Sequence, residues 1–167
     1  MPAAENEVGF GVEQYPGVAY STGLQTAYSE RLEVGYRWYH SHNVTPAFCF
    51  GHGLSYTRFE YSDLQLAPTG ATFTLRNAGG VAGAEVAQLY LTFPAAAGEP
   101  PRQLKGFKKV VVGAGAEVQV EILLSSREFA IWNADSHGWE RVGGTFRIYV
   151  GASSCDLRLS GTVTIHV

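Results

Sequence analysis

From about Tyr61 onward, apolar and polar residues alternate with a period of two. Ala71–Arg76, Glu85–Thr92 and Glu117–Leu123 keep this rhythm, and Leu157–Val167 carries it to the last residue. Alternation of this kind puts successive side chains on opposite faces of a half-buried strand. Lys108–Val112 and Phe146–Val150 add two runs rich in β-branched or aromatic residues, the types that fit a pleated surface. Turn-forming clusters separate the runs: Asn77-Ala-Gly-Gly80, Ala97-Gly-Glu-Pro-Pro101, Gly113-Ala-Gly115 and Gly143-Gly144. About seven short strands over roughly 105 residues, spaced by such turns, predict an antiparallel sandwich or barrel.

The first third of the chain follows a different rule. It shows little alternation, yet twelve of the 21 aromatic residues lie between Phe10 and Tyr61. That many rings cannot all face water without forming a large apolar patch. One stretch has helical spacing: Ser29 as N-cap, Glu30 in the first turn, and Leu32, Tyr36 and Tyr39 on one face. Gln14–Gly17 and Asn43–Gly53 read as ordered loop. The expected fold class is all-β, a β-sandwich preceded by an aromatic-rich extended tail with one short helix.

Composition narrows the function classes. The chain has 167 residues and a net charge of −3, with no basic excess of the kind a nucleic-acid backbone requires. Arg102, Lys105, Lys108 and Lys109 form one short basic run, which reads as a solvated strand face. There is no apolar run long enough to span a membrane and no visible signal peptide, and the compartment stays open. Cys49 and Cys155 fit no Cys-x-x-Cys spacing. They read as two unpaired, buried thiols, with pairing as the alternative in an oxidising compartment.

Reactive chemistry is sparse. His40-Ser-His42 lacks the further ligands a metal site needs. Asp135-Ser136-His137 holds triad residue types, but triads assemble in space, and here they read as the turn of a hairpin between Trp132 and Trp139. Asn43-Val44-Thr45 is an N-glycosylation sequon, relevant only to a secreted chain. Trp38, Trp132 and Trp139 are candidates for stacking on sugar, although tryptophans in a domain of this size usually serve the core. No cofactor or metal is expected.

Three segments together carry a resemblance. Tyr28-Ser-Glu-Arg-Leu-Glu-Val-Gly-Tyr-Arg-Trp-Tyr39 is similar to the pattern Y-x-E-G-x-x-V-G-Y-R-Y-Y. Pro46-Ala-Phe-Cys-Phe-Gly-His-Gly-Leu-Ser-Tyr-Thr57 is similar to P-L-F-P-F-G-x-G-L-S-Y-T. Ala82–Leu91 with Leu104-Lys-Gly-Phe107, then Phe129–Trp132 and Gly144–Gly151, continue the match. Over nearly its whole length the chain resembles the C-terminal part of glycoside hydrolase family 3, the β-glucosidase and β-xylosidase family. The resemblance implies that residues 1–60 are a tail like the end of the family's α/β sandwich domain. Residues 61–167 are then an immunoglobulin/fibronectin-III-like sandwich. It also implies that Pro46–Tyr61 is a connector that packs one domain on the next. Met1-Pro2, Glu5-Asn6 and Tyr15-Pro16-Gly17 align with an internal stretch of the family, so a start at a formerly internal methionine is expected.

The same resemblance locates what is missing. Glycosidic cleavage normally takes two carboxylates about 5–10 Å apart. In the family the nucleophilic Asp and the acid/base Glu lie upstream of the region matched here. Glu5, Glu7, Glu30 and Glu33 offer no substitute. The chain also departs from the pattern: Arg31 stands where Gly is usual, Glu33 where an apolar residue is usual, His40 where Asp is usual and Cys49 where Pro is usual. A charge buried without a partner costs several kcal/mol, so Arg31 and Glu33 are expected to be exposed or paired across an interface. Trp38, Tyr39, Phe48 and Phe50 complete that candidate interface. The expected function is a non-catalytic scaffold or interaction module. Its partner would be the missing catalytic domains of a family 3 enzyme or another protein in a larger assembly. The alternatives are a C-terminal fragment of an active β-glucosidase or β-xylosidase, and a weak carbohydrate-binding module.

Overall fold

A computed structural model describes residues 3, 11, 13, 14 and 17–167. Glu5, Glu7 and the Met1-Pro2, Asn6 and Tyr15-Pro16 positions of the aligned stretch lie outside them. The chain divides into two compact units, Met1–Cys49 and Phe50–Val167.

In the first unit, β1 (Val18–Tyr20) pairs antiparallel with β2 (Gly23–Gln25). Strands of three residues are too short to display a period, which is why the sequence reading has none here. Among the described residues there is one α-helix, α1, at Tyr36–Ser41. It does not begin at Ser29 as expected. Arg31 (φ 51°) and Gly35 (φ 63°) both adopt left-handed backbone, which an α-helix cannot pass through. Residues 28–34 instead form tight turns, with the Glu33 N–H on the Glu30 carbonyl at 2.8 Å and the Arg31 N–H on the Tyr28 carbonyl at 3.3 Å. The Ser29 hydroxyl accepts from the Gln14 carboxamide at 2.9 Å rather than capping a helix. The helical spacing of Leu32, Tyr36 and Tyr39 is therefore not used as one face, and Leu32 is exposed.

The second unit holds the sandwich. Its strands are β3 (Phe59–Ala67), β4 (Gly70–Asn77), β5 (Gly83–Thr92), β6 (Gln103–Val112), β7 (Glu117–Leu123), β8 (Ala130–Asn133), β9 (Gly138–Arg141), β10 (Gly144–Gly151) and β11 (Leu157–Ile165). One sheet has the order β11-β10-β5-β6, the other β3-β4-β7, and β8-β9 is a separate hairpin. All pairings are antiparallel.

Register explains the core. Phe73 faces Val120 and Ala71 faces Ile122 across β4–β7. Leu91 faces Ile148 and Leu89 faces Val150 across β5–β10, and Phe146 faces Val163 across β10–β11. Each pair shares one face of its sheet, and these side chains form a single buried cluster with Val112, Phe129 and Ile165. A capping box in which Ser125 and Glu128 bond reciprocally sets the short turn that delivers Phe129. β3 carries a bulge between Ser62 and Gln65, with Asp63 at φ 56°. The bulge breaks the alternation there and hides the strand from a period-two reading.

The cysteines correct the sequence reading. Neither Cys49 nor Cys155 is a free thiol; both are disulfide-bonded.

Candidate functional site

Within the stretch expected to be a connector, residues 50–58 form an irregular loop over the outer face of the β5 sheet, and Phe59–Tyr61 already belong to β3. Alternation along β5 points Ala87, Leu89 and Leu91 into the core and leaves Gln88 and Tyr90 on the opposite face. A glutamine there would normally be wet. Gln88 is instead buried, with both amide hydrogens and its carbonyl oxygen engaged. Its amide donates to the Gly51 carbonyl at 3.1 Å and to the Ala152 carbonyl at 2.6 Å. Its carbonyl accepts from the Tyr90 hydroxyl at 2.6 Å. Gly51 has φ 79°, and a Cβ there would come within 2.2 Å of Gln88 Oε1. Only glycine lets the loop sit this close.

Asn77, at the end of β4, pins the other end of the loop. It is completely buried. Its amide donates to the carbonyls of Val81 (2.8 Å) and Val112 (3.0 Å). Its oxygen accepts from the Gly79 N–H at 3.0 Å and from the Thr57 hydroxyl. A carboxamide has two donor hydrogens and two acceptor lone pairs, so every one is used. The Ser154 N–H donates to the Phe50 carbonyl at 2.9 Å and completes the attachment.

Between this loop and the strands lies a cleft of about 460 Å³, lined by His52, Leu54, Arg58, Glu85, Lys109, Asp156 and Arg158 among others. Its two carboxylates already have partners. Asp156 takes two bonds from Arg158, at 3.0 and 2.7 Å, and those bonds hold its carboxyl below the usual range. Arg158 also donates to the Phe59 carbonyl and lies over the Tyr61 ring. Glu85 accepts from the Tyr61 hydroxyl at 2.7 Å. Burial, reinforced by that bond, pushes the Tyr61 phenol well above its ordinary value. A glycosidase acid must keep a proton near neutral pH, and Asp156 is shifted the opposite way. The chemistry this arrangement offers is structural: Arg158 ties β11 to β3 through the Phe59 carbonyl, and Tyr61 ties β3 to β5 through Glu85. Among the described residues no group of three or more His, Cys, Asp or Glu is placed to hold a metal ion.

The sequence-predicted residues fall in several places. Arg31 is exposed and Glu33 half-buried, so neither charge is entombed. Glu33 lies 3.8 Å from His42, whose ring stacks on Trp38 with centroids 4.4 Å apart and whose Nδ1 is 3.0 Å from the Trp38 carbonyl. Trp38 meets Tyr39 edge-on at 5.4 Å. Glu33, Trp38 and Tyr39 thus belong to one cluster in the first unit. Phe48 and Phe50 are both exposed. Asn43 is exposed, at φ 54°, directly after α1.

Asp135-Ser136-His137 forms the β8–β9 turn, with Asn133 Oδ1 accepting from the Asp135 and Ser136 N–H groups. Trp132 and Trp139 pair edge-to-face at 5.6 Å on that hairpin, and Arg127 covers Trp139 at 4.4 Å, so they do not make one flat platform. Of the basic run, Lys108 and Lys109 are exposed on β6, while Arg102 donates to the Ser154 carbonyl at 2.9 Å.

Sequence reasoning missed Gln88, Asn77, Leu54 and Tyr56. For Gln88 the signal was present: a polar residue inside the run Val-Ala-Gln-Leu-Tyr-Leu, in phase with the outer face.

Comparison with known proteins places this arrangement. The family model for the fibronectin type III-like domain matches residues 85–154. The probable β-glucosidase D of Aspergillus niger is 38% identical over 98% of this chain and 24% of its own length. The crystal structure of DesR, a β-glucosidase from Streptomyces venezuelae in complex with D-glucose, superposes with a TM-score of 0.88 at 38% identity. That match covers 99% of this chain and 22% of DesR. The Bifidobacterium adolescentis GH3 β-glucosidase matches with a TM-score of 0.82 and 32% identity, over 91% of this chain and 23% of its own. The chain spans about a quarter of the length of the curated relatives it matches. No helix among the described residues is long and apolar enough to cross a membrane. By sequence and by fold, the chain matches the C-terminal, fibronectin type III-like portion of glycoside hydrolase family 3 β-glucosidases.

Proposed function

We propose that this chain is a non-catalytic scaffold and interaction module, and that its partner is the catalytic part of a family 3 glycosidase. The observation that carries the reading is the loop at residues 50–58. It is fastened at both ends by buried amides, at Gln88 and Asn77, yet Leu54 and Tyr56 at its crest are almost fully exposed, at 95% and 103%. A loop held this firmly while presenting two bare apolar side chains suits docking. Burying each side chain contributes roughly 1.5–3 kcal/mol. Phe50 opens this loop, and in the first unit Arg31, Glu33, Phe48 and the Trp38–Tyr39 cluster are a separate candidate contact region. Residues 1–60 would derive from the end of the α/β sandwich domain, and 61–167 from the fibronectin-like domain.

The fragment reading, in which the chain serves an active β-glucosidase, is favoured by the relatives' length, about four times its own. Both readings share one experiment. A family 3 β-glucosidase truncated before the matched region is mixed with this chain, and association and hydrolysis of an aryl-β-glucoside are followed. Binding that is lost in Leu54→Ser/Tyr56→Ser supports docking, and recovery of hydrolysis supports the fragment reading. Hydrolysis by this chain alone, abolished by Glu85→Gln or Asp156→Asn, would sink the non-catalytic reading. For the carbohydrate-module alternative, tryptophan fluorescence unchanged at millimolar glucoside removes it.

A further inference from the structure

We infer that Asn43 is an N-glycosylation acceptor and that the folded chain belongs to an oxidising compartment of the secretory kind. Two independent observations converge on this. The first is the site. Asn43-Val44-Thr45 is an acceptor tripeptide with no proline at its centre. It follows α1 at once, with Asn43 and Thr45 both exposed. The backbone around it is set: the Val44 N–H bonds the Tyr39 carbonyl at 2.9 Å, and Asn43 sits in left-handed backbone at φ 54°. Asparagine tolerates that region better than most residues. Among the described residues the Asn43 carboxamide makes no side-chain hydrogen bond, so a glycan on Nδ2 displaces nothing.

The second observation lies elsewhere in the chain. Cys49 and Cys155 are both disulfide-bonded. Disulfides persist in oxidising surroundings, namely the extracellular space, the endoplasmic-reticulum lumen and the bacterial periplasm, and are rare in cytosolic proteins. Of these, the endoplasmic-reticulum lumen is where N-glycans are attached. The transfer is made by a cellular transferase. Asn43 Nδ2 forms a C–N bond to the anomeric carbon of a lipid-linked oligosaccharide diphosphate, the glycosyl–phosphate bond breaks, and Nδ2 gives up one proton as the lipid diphosphate leaves. The inference does not depend on the docking reading above.

The test has two arms. The full chain is secreted from a eukaryotic host as the parent and as Asn43→Asp, Thr45→Ala and Thr45→Ser. Peptides spanning residue 43 are then analysed after glycan release in heavy-oxygen water. Asn43→Asp keeps a side chain that accepts left-handed backbone, and Thr45→Ser keeps the sequon. The parent and Thr45→Ser should carry glycan at residue 43, and the other two should lose it entirely while their cysteines stay resistant to alkylation without reductant. In the second arm, the same peptide is examined in polypeptide isolated from its natural source. An unmodified Asn43 in secreted, oxidised parent overturns the site. Unmodified Asn43 or alkylatable cysteines in the natural material overturn the compartment.

Discussion

Replacing Asn77 by alanine should unfold the sandwich more readily than any surface change of similar size. The wild-type side chain is completely buried and makes four hydrogen bonds, to Val81, Val112, Gly79 and Thr57. At roughly 0.5–1.5 kcal/mol net each, these bonds alone contribute about 2–6 kcal/mol. Truncation also strands the Val112 carbonyl in the interior, a penalty of roughly 1–3 kcal/mol if water cannot follow. Some of the four bonds will relax onto new partners, so a loss of about 3–4 kcal/mol is expected, a large share of a typical 5–15 kcal/mol. For a chain of 167 residues that lowers Tm by roughly 6–16 °C.

Asn77→Asp is the sharper version. It keeps the oxygen that accepts from Gly79 and Thr57 but turns an acceptor toward the carbonyls of Val81 and Val112. Burial raises its folded pKa above the unfolded carboxylate value. The folded state then binds more protons than the unfolded one between those two values, so stability falls as pH rises through them. Asn77→Asp should be at least as destabilised as Asn77→Ala at pH 7 and should recover ground at acid pH. Urea denaturation followed by tryptophan fluorescence, compared at equal m-value, gives the measurement. An Asn77→Ala midpoint within about 1 kcal/mol of the parent would refute the reasoning.

Other consequences follow from single contacts. Gly51→Ala combines left-handed backbone with a Cβ 2.2 Å from Gln88; it should cost about 1–3 kcal/mol and increase proteolytic nicking of the 50–58 loop. Arg31→Gly removes the strain of a β-carbon at φ 51° and should strengthen its turn by up to about 1 kcal/mol, read as slower amide exchange at Arg31 and Glu33; faster exchange would contradict it. Asp156 has a folded pKa lowered chiefly by its bonds from Arg158. Its stabilising effect is therefore full above the ordinary carboxylate pKa and is lost as pH falls through the lower folded value. Asp156→Asn should flatten that part of the acid limb of the stability profile, measured by urea midpoints across the acid range.

The sandwich was legible because its strands repeat with the two-residue period of a pleated sheet. Glu117–Leu123 could be bounded to the residue, since seven alternating positions leave little freedom of register. Where the period is interrupted, legibility fails. The bulge at Asp63 conceals β3, and left-handed backbone at Arg31 and Gly35 halts a helix whose apolar spacing invited one. The site was harder to read, because its polar residues matter through what lies over them. The apolar run around Gln88 hints at a covered outer face, but what covers it is a loop 37 residues earlier in the chain.

What the sequence determined by itself was the periodic part: alternating strands, turn clusters at their ends, and motifs dense enough to carry a family resemblance. The redox state of Cys49 and Cys155, the four-bond saturation of Asn77 and the bareness of Leu54 and Tyr56 were settled only in three dimensions. Strand formation depends on neighbours along the chain, whereas burial, pairing and hydrogen-bond saturation depend on groups that the fold brings from far away.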